Sequence, residues 1–196
     1  GVWGGLGLNS PRWGLLGAVP DMRMALGAVR LARPLRRAPA GRAPSAPAPR
    51  WWYVADVIPF ALISPPYTSV PDFPGCRPRD ICLQVAEPSS AGFPRGALYG
   101  FGGNPLGLTA RFRPAARVRP MLGATGGALW FPRRVPTTRG ARFNFTATAE
   151  AGVTIAPRRG PGLALVYRFH HLSNGGTGAE NPGVASHLLT VGVEWP

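Results

Sequence analysis

The stretch Tyr167–Gly183 reads YRFHHLSNGGTGAENPG and holds two of the three histidines of the chain. His171 and Ser173 stand two positions apart at the end of an alternating segment, so a strand would turn both side chains to one face. An imidazole beside a hydroxyl is the minimum of a Ser–His nucleophilic pair: the histidine takes the proton as the serine attacks a carbonyl. The Gly- and Asn-rich loop that follows could aim backbone N–H groups at a developing oxyanion. A polar strand end running into a hairpin loop would supply the same residues without chemistry. Placement lifts the first reading, because the pair continues the apolar face Leu163–Phe169, where an unpaired polar pair facing lipid would be costly.

The elements that must hold this pair follow from composition. In 196 residues there are 27 glycines and 24 prolines, which interrupt almost every window a long helix would need. With 45% hydrophobic and 10% aromatic residues, the chain carries too much apolar surface for a disordered polymer. No apolar run approaches the roughly 18 residues of a transmembrane helix. An all-β chain remains, and barrel strands cross a membrane with only ~9–11 residues each. The net charge of +14 comes entirely from arginine, without lysine. It suits nucleic acid, an anionic membrane surface or a compositional habit equally well. The arginines are scattered among turns, as at Arg36, Arg37, Arg133, Arg134, Arg158 and Arg159, and form no stripe interleaved with aromatics.

Period-two alternation is cleanest in the second half. Over 141–157 the even positions Arg142, Asn144, Thr146, Thr148 and Glu150 are polar, and the odd positions Phe143, Phe145, Ala147, Ala149, Val153 and Ile155 are apolar. Eight segments qualify as strands: 1–9, 21–33, 50–64, 98–113, 117–131, 141–156, 162–173 and 186–195. Connections 114–116 and 157–161 are short, whereas 65–97 is long and 174–185 moderate. Tight turns after even strands and longer loops after odd ones are the asymmetry of an outer-membrane barrel. Residues 34–49 break that rule and would form a flexible periplasmic connection, with 65–97 the long extracellular loop. Cys76 and Cys82 lie within the latter, as a disulfide-closed loop or as two free thiols. The chain starts at Gly1 without a charged-then-apolar leader, so a signal peptide is expected to have been removed or never to have been there.

Alternation alone does not say which face is inside. In a β-sandwich or a lipocalin-like barrel the apolar face turns inward; in a membrane barrel it turns outward. In the membrane reading Arg111, Arg113, Arg142, Glu150, Arg168 and Glu194 would pair charges within the lumen, and Asp56 would be a lumen charge too.

The sequence His171-Leu172-Ser173-Asn174, followed after a glycine-containing stretch by Asn181-Pro182-Gly183 near the chain end, resembles the signature of the outer-membrane lipid A 3-O-deacylases, also called acyloxyacyl hydrolases. The likeness is sharp over about 160–196 and rests on the strand pattern elsewhere. It implies an eight-stranded antiparallel up-and-down transmembrane β-barrel of the Gram-negative outer membrane, with the active site on the outer wall. It also implies a carboxylic ester hydrolase that removes an acyl chain from lipid A without cofactor or metal. Carried over, Ser173 is the nucleophile and His171 the general base. Asn174, Gly176 and Asn181 are the loop residues expected to stabilise the oxyanion, Gly176 through its N–H. The acid of the family's triad falls two positions after the motif glycine, which here is Ala185. Glu180 in the same loop is expected to substitute, or else water or a backbone carbonyl orients the imidazole. His187 shares the outward parity but is a base.

Lipid A in a surrounding membrane is therefore the expected partner, nucleic acid is not, and a homodimer stays open. A non-catalytic barrel with a structural or lipid-binding role is the competing reading, for which Ala185 is the main argument. A soluble nucleic-acid binder fits least, since the aromatics resemble a girdle or a core more than a stacking platform.

Overall fold

Eight antiparallel strands hydrogen-bond in chain order, and the first pairs with the last to close a barrel. The computed structural model describes residues 1–8, 22–35, 49–64, 96–113 and 115–195. The strands are β1 (Val2–Leu8), β2 (Arg23–Pro34), β3 (Arg50–Ser64), β4 (Leu98–Arg111), β5 (Val118–Val135), β6 (Ala141–Ile155), β7 (Gly162–Ser173) and β8 (Val184–Glu194). All eight expected segments are present, with β5 running on to Val135 and β8 starting at Val184. Cys76, Cys82 and nearly all of the connections 34–49 and 65–97 lie outside the described residues.

The faces are inverted relative to a soluble barrel. On β7, Leu163, Leu165 and Tyr167 are exposed while Ala164, Val166 and Arg168 are buried; on β6, Phe143, Phe145 and Ala149 are exposed while Asn144, Thr148 and Glu150 are buried. Apolar residues out and polar residues in is the arrangement of an outer-membrane barrel and the reverse of a lipocalin. Aromatic residues ring the wall at both ends. Phe60, Tyr99, Phe101, Trp130, Phe143 and Phe145 crowd the upper end, where Ser173 sits; Trp51, Tyr53 and Trp195 mark the lower.

Prolines interrupt this wall in several strands. Pro59 and Pro105 fall where the β3–β4 and β4–β5 registers slip, as expected for residues that cannot donate to a ladder. The carbonyls of these two bulges accept hydrogen bonds from Tyr99 and Tyr53 respectively.

The lumen is layered. At mid-height Arg30 forks onto Asp56 (Nε–Oδ1 and Nη2–Oδ2, both 2.7 Å) and reaches Glu150 Oε1 at 2.8 Å. Arg168 meets Glu150 Oε2 at 3.1 Å and lies 3.8 Å over the Trp3 ring. Gly123 makes room for this layer, since a Cβ there would stand 2.7 Å from Glu150 Oε1. Above it an apolar plug, including Met24, Ile58, Ile63, Phe131, Leu172 and Leu188, fills the upper lumen. Arg111 and Glu194 pair lower down at 3.0 Å. Arg113 and Arg142, expected inside, are exposed. Arg113 belongs to the β4–β5 turn, and Arg142 has inward parity but sits above the plug, where the lumen has already ended.

Candidate active site

The alternation of β7 delivers His171 and Ser173 to the outer wall at the top of the strand, each half-buried among neighbours. Cross-strand pairing sets those neighbours. His171 stands between Ala147 of β6 and Ala185 of β8, and Ser173 stands beside Phe145. No hydrogen bond joins Ser173 to His171. The imidazole Nδ1 is buried without a partner, which leaves Nε2 as the ring nitrogen open to the outside. Ala185, in the place where an orienting acid would stand, is 4% exposed and offers only a methyl group.

Below the pair the wall is low. Ala147, Ala149 and Ala151 of β6 lie beside Gly126, Ala124 and Leu122 of β5, while Tyr167 and Phe169 of β7 rise along one side. His187 also faces outward. Its Nδ1 is hydrogen-bonded to the Tyr167 hydroxyl, and its ring packs against Tyr167 and Phe169 at centroid distances of 5.8 and 5.5 Å. That bond draws the ring down the wall, away from His171.

The loop 174–183 is built around Asn174, which is wholly buried. Its N–H donates to Asn181 Oδ1 at 2.9 Å, and its Nδ2 donates to the Glu180 carbonyl at 2.6 Å. Its own Oδ1 accepts from the Gly176 N–H at 2.9 Å, and its carbonyl accepts from the Thr177 hydroxyl at 2.8 Å. Gly175 and Gly176 have φ of 61° and 80°, the left-handed region that strains other residues. The Gly176 N–H, expected to serve an oxyanion, is thus spent inside the loop. Of the three amides after Ser173, those of Asn174 and Gly176 are taken up and that of Gly175 is not.

Glu180, expected to replace the missing acid, is placed elsewhere. Its carboxylate accepts from Thr137 at 3.2 Å and lies 3.5 Å from Arg139, both in the β5–β6 loop, and its N–H donates to the Arg139 carbonyl at 3.2 Å. The structure therefore brings together Ser173, His171, Asn174, Gly176 and Asn181, and leaves Glu180 bracing one loop against another. His170, of opposite parity on β7, points into the lumen directly behind the pair. Both of its ring nitrogens are buried without partners, as are the hydroxyls of its register neighbours Thr148 and Ser186. Among the described residues no three His, Cys, Asp or Glu side chains converge as a metal site requires.

Comparison with known proteins agrees with the barrel fold. The family profile described as "Lipid A 3-O-deacylase (PagL)" matches residues 83–194. No curated protein matches the sequence. Among solved structures, one described as "Crystal structure of the outer membrane enzyme PagL" superposes with a TM-score of 0.57 at 13% identity, covering 97% of this chain and 96% of that one.

Proposed function

The chain belongs to the PagL family of lipid A 3-O-deacylases, which are ester hydrolases, and from that membership we propose that it sits in the outer membrane and cuts the 3-O-linked acyl ester of lipid A through Ser173 and His171. The observation that carries the mechanism is the pair itself: a hydroxyl and an imidazole at the top of an outer wall otherwise lined with aliphatic and aromatic residues.

Ser173 Oγ attacks the ester carbonyl as His171 Nε2 takes its proton, forming a tetrahedral oxyanion. The Gly175 N–H and the Nδ2 of Asn181 are the donors that the loop's own bonding leaves for it. Collapse breaks the bond to the sugar oxygen, which leaves with the proton held on His171, and the acyl group stays on Ser173. Water, deprotonated by His171, then attacks the acyl-enzyme, and the carboxylic acid departs as Ser173 recovers its proton. For His171 to accept at Nε2, its own proton must sit on Nδ1, where the protein supplies no acceptor. The low alanine floor below the pair gives the departing chain an apolar bed, and the exposed aliphatic band of the barrel gives it a membrane to lie in.

Mass spectrometry of lipid A from cells with and without the protein tests this reading. Loss of one acyl chain, with the phosphates and the remaining chains intact, is the expected result. Unchanged lipid A under good expression would favour the second reading, a barrel that keeps the fold without catalysis, for which the orphaned Nδ1 and Ala185 speak.

A further inference from the structure

Below the ion-pair layer the lumen opens into a cavity of about 600 Å³, at the opposite end of the barrel from Ser173. Its charge is lopsided. The roof is the Arg30–Asp56–Glu150–Arg168 layer, in which two guanidiniums balance two carboxylates. Arg111 balances Glu194, stacks 4.8 Å from the Trp52 ring, and keeps its Nε buried without a partner. Three more arginines line the same cavity, Arg119 from β5 and Arg158 and Arg159 from the β6–β7 turn. None of them meets a carboxylate among the described residues, and Arg119 Nε is bonded only to the Ala116 carbonyl at 3.0 Å. Met121, Ala164 and Val166 form an apolar patch on the wall beside them.

Three guanidiniums without a carboxylate partner line the same cavity mouth, Arg119 half-buried on β5 and Arg158 and Arg159 exposed on the turn, and such a one-sign cluster beside low-dielectric walls raises the local concentration of anions. We propose that this cavity is a binding site for a soluble phosphate-bearing anion. Guanidinium forks match phosphoryl oxygens two at a time, and a doubly or triply charged group answers three free cations where a single carboxylate does not. The patch around Met121 leaves room for a small organic arm. The barrel wall separates the cavity from the apolar outer face, so the ligand enters through the lower mouth from water.

Isothermal titration of the purified full-length protein in a zwitterionic detergent, with inorganic pyrophosphate as probe, tests the site. Saturable one-to-one binding that weakens with salt is expected. Arg119→Gln together with Arg159→Gln should raise the Kd about tenfold or more, while Arg133→Gln at the opposite mouth leaves it unchanged. Heat-shifted gel mobility confirms that each variant is a folded barrel. Lipid A deacylation should not change in the double variant, so failure of this site and failure of the esterase reading are distinguishable. In a parallel arm the protein is placed in phosphatidylcholine nanodiscs with and without phosphatidic acid. Pyrophosphate binding that phosphatidic acid leaves unchanged supports a luminal site. Absence of saturable binding, an unchanged Kd in the double variant, or binding seen with phosphatidic acid alone would overturn the proposal.

Discussion

Ala185→Glu puts a carboxylate on the strand position directly opposite His171 in the β7–β8 register, on the same outward face. Directly opposed side chains on an antiparallel pair have Cβ atoms about 4.5–5.5 Å apart, within reach of a glutamate for the imidazole beside it. At present His171 Nδ1 is buried with no acceptor, a state that costs about 1–3 kcal/mol in the tautomer the mechanism needs. The imidazolium formed during attack lacks a counter-charge as well. Supplying one acceptor should return most of the first term and part of the second. Since about 1.4 kcal/mol is tenfold in rate, kcat is expected to rise roughly ten- to a hundredfold. The ceiling is the ~10⁴ that losing an orienting acid costs a mature triad, and it should not be reached because the loop is built around Asn174 and not around position 185. The assay is release of free fatty acid from lipid A in mixed micelles, comparing wild type with Ala185→Glu and Ala185→Gln. The glutamine supplies an acceptor without the charge, and a smaller gain is expected from it. A glutamate variant with unchanged rate, or a glutamine variant that equals it, would mean that a missing charged partner of His171 does not limit turnover.

Other consequences are as direct. Glu150→Gln removes the carboxylate shared by Arg30 and Arg168 in the lumen and should cost about 3–5 kcal/mol, read from urea unfolding in lipid vesicles; a loss under 1 kcal/mol would mean that the layer is not a coupled network. Leu165→Arg on the outer face should cost roughly 2–4 kcal/mol, and a fluorophore at position 165 should be quenched by brominated lipid acyl chains, whereas protection would place that face inside. Asn174→Ala removes the two side-chain bonds that shape the loop after Ser173, so activity should fall at least about tenfold while thermal unfolding of the barrel shifts little. A variant that keeps its rate would show that the loop geometry is irrelevant to turnover.

Much of the barrel was legible because its signal is local. A barrel strand with an apolar outer face and a polar lumen alternates at every step, as β7 does over its whole length and β6 from Phe143 to Ala151. What alternation does not encode is height along the barrel axis. Arg142 has the parity of Glu150 yet lies above the plug, so it joins no ion pair in the lumen. The extension of β5 to Val135 was hidden because Pro132, Arg133 and Arg134 read as a turn. Arg30, the centre of the luminal layer, sits in a β2 segment whose glycines and alanines blur the pattern. At the site, the shared outward face of His171 and Ser173 was legible from their two-residue spacing, whereas the alanine at position 185 stood out only against the family signature. Glu180 was misplaced because its partners, Thr137 and Arg139, come from a loop some forty residues earlier, a contact that no local pattern announces. The buried hub at Asn174 was hidden for a related reason: its bonds close on Asn181 and Glu180, and only the folded loop shows which N–H groups they consume.

The proposed chemistry turns on Ser173 Oγ as the nucleophile in ester cleavage on the outer wall of this barrel. The most direct measurement compares wild type and Ser173→Ala, each purified as a heat-modifiable folded barrel and reconstituted with lipid A, by mass spectrometry of the lipid over time. Wild type should shed one acyl chain progressively, and Ser173→Ala should leave lipid A intact to within about a thousandth of that rate. Deacylation by Ser173→Ala at a rate within a fewfold of wild type would contradict the account.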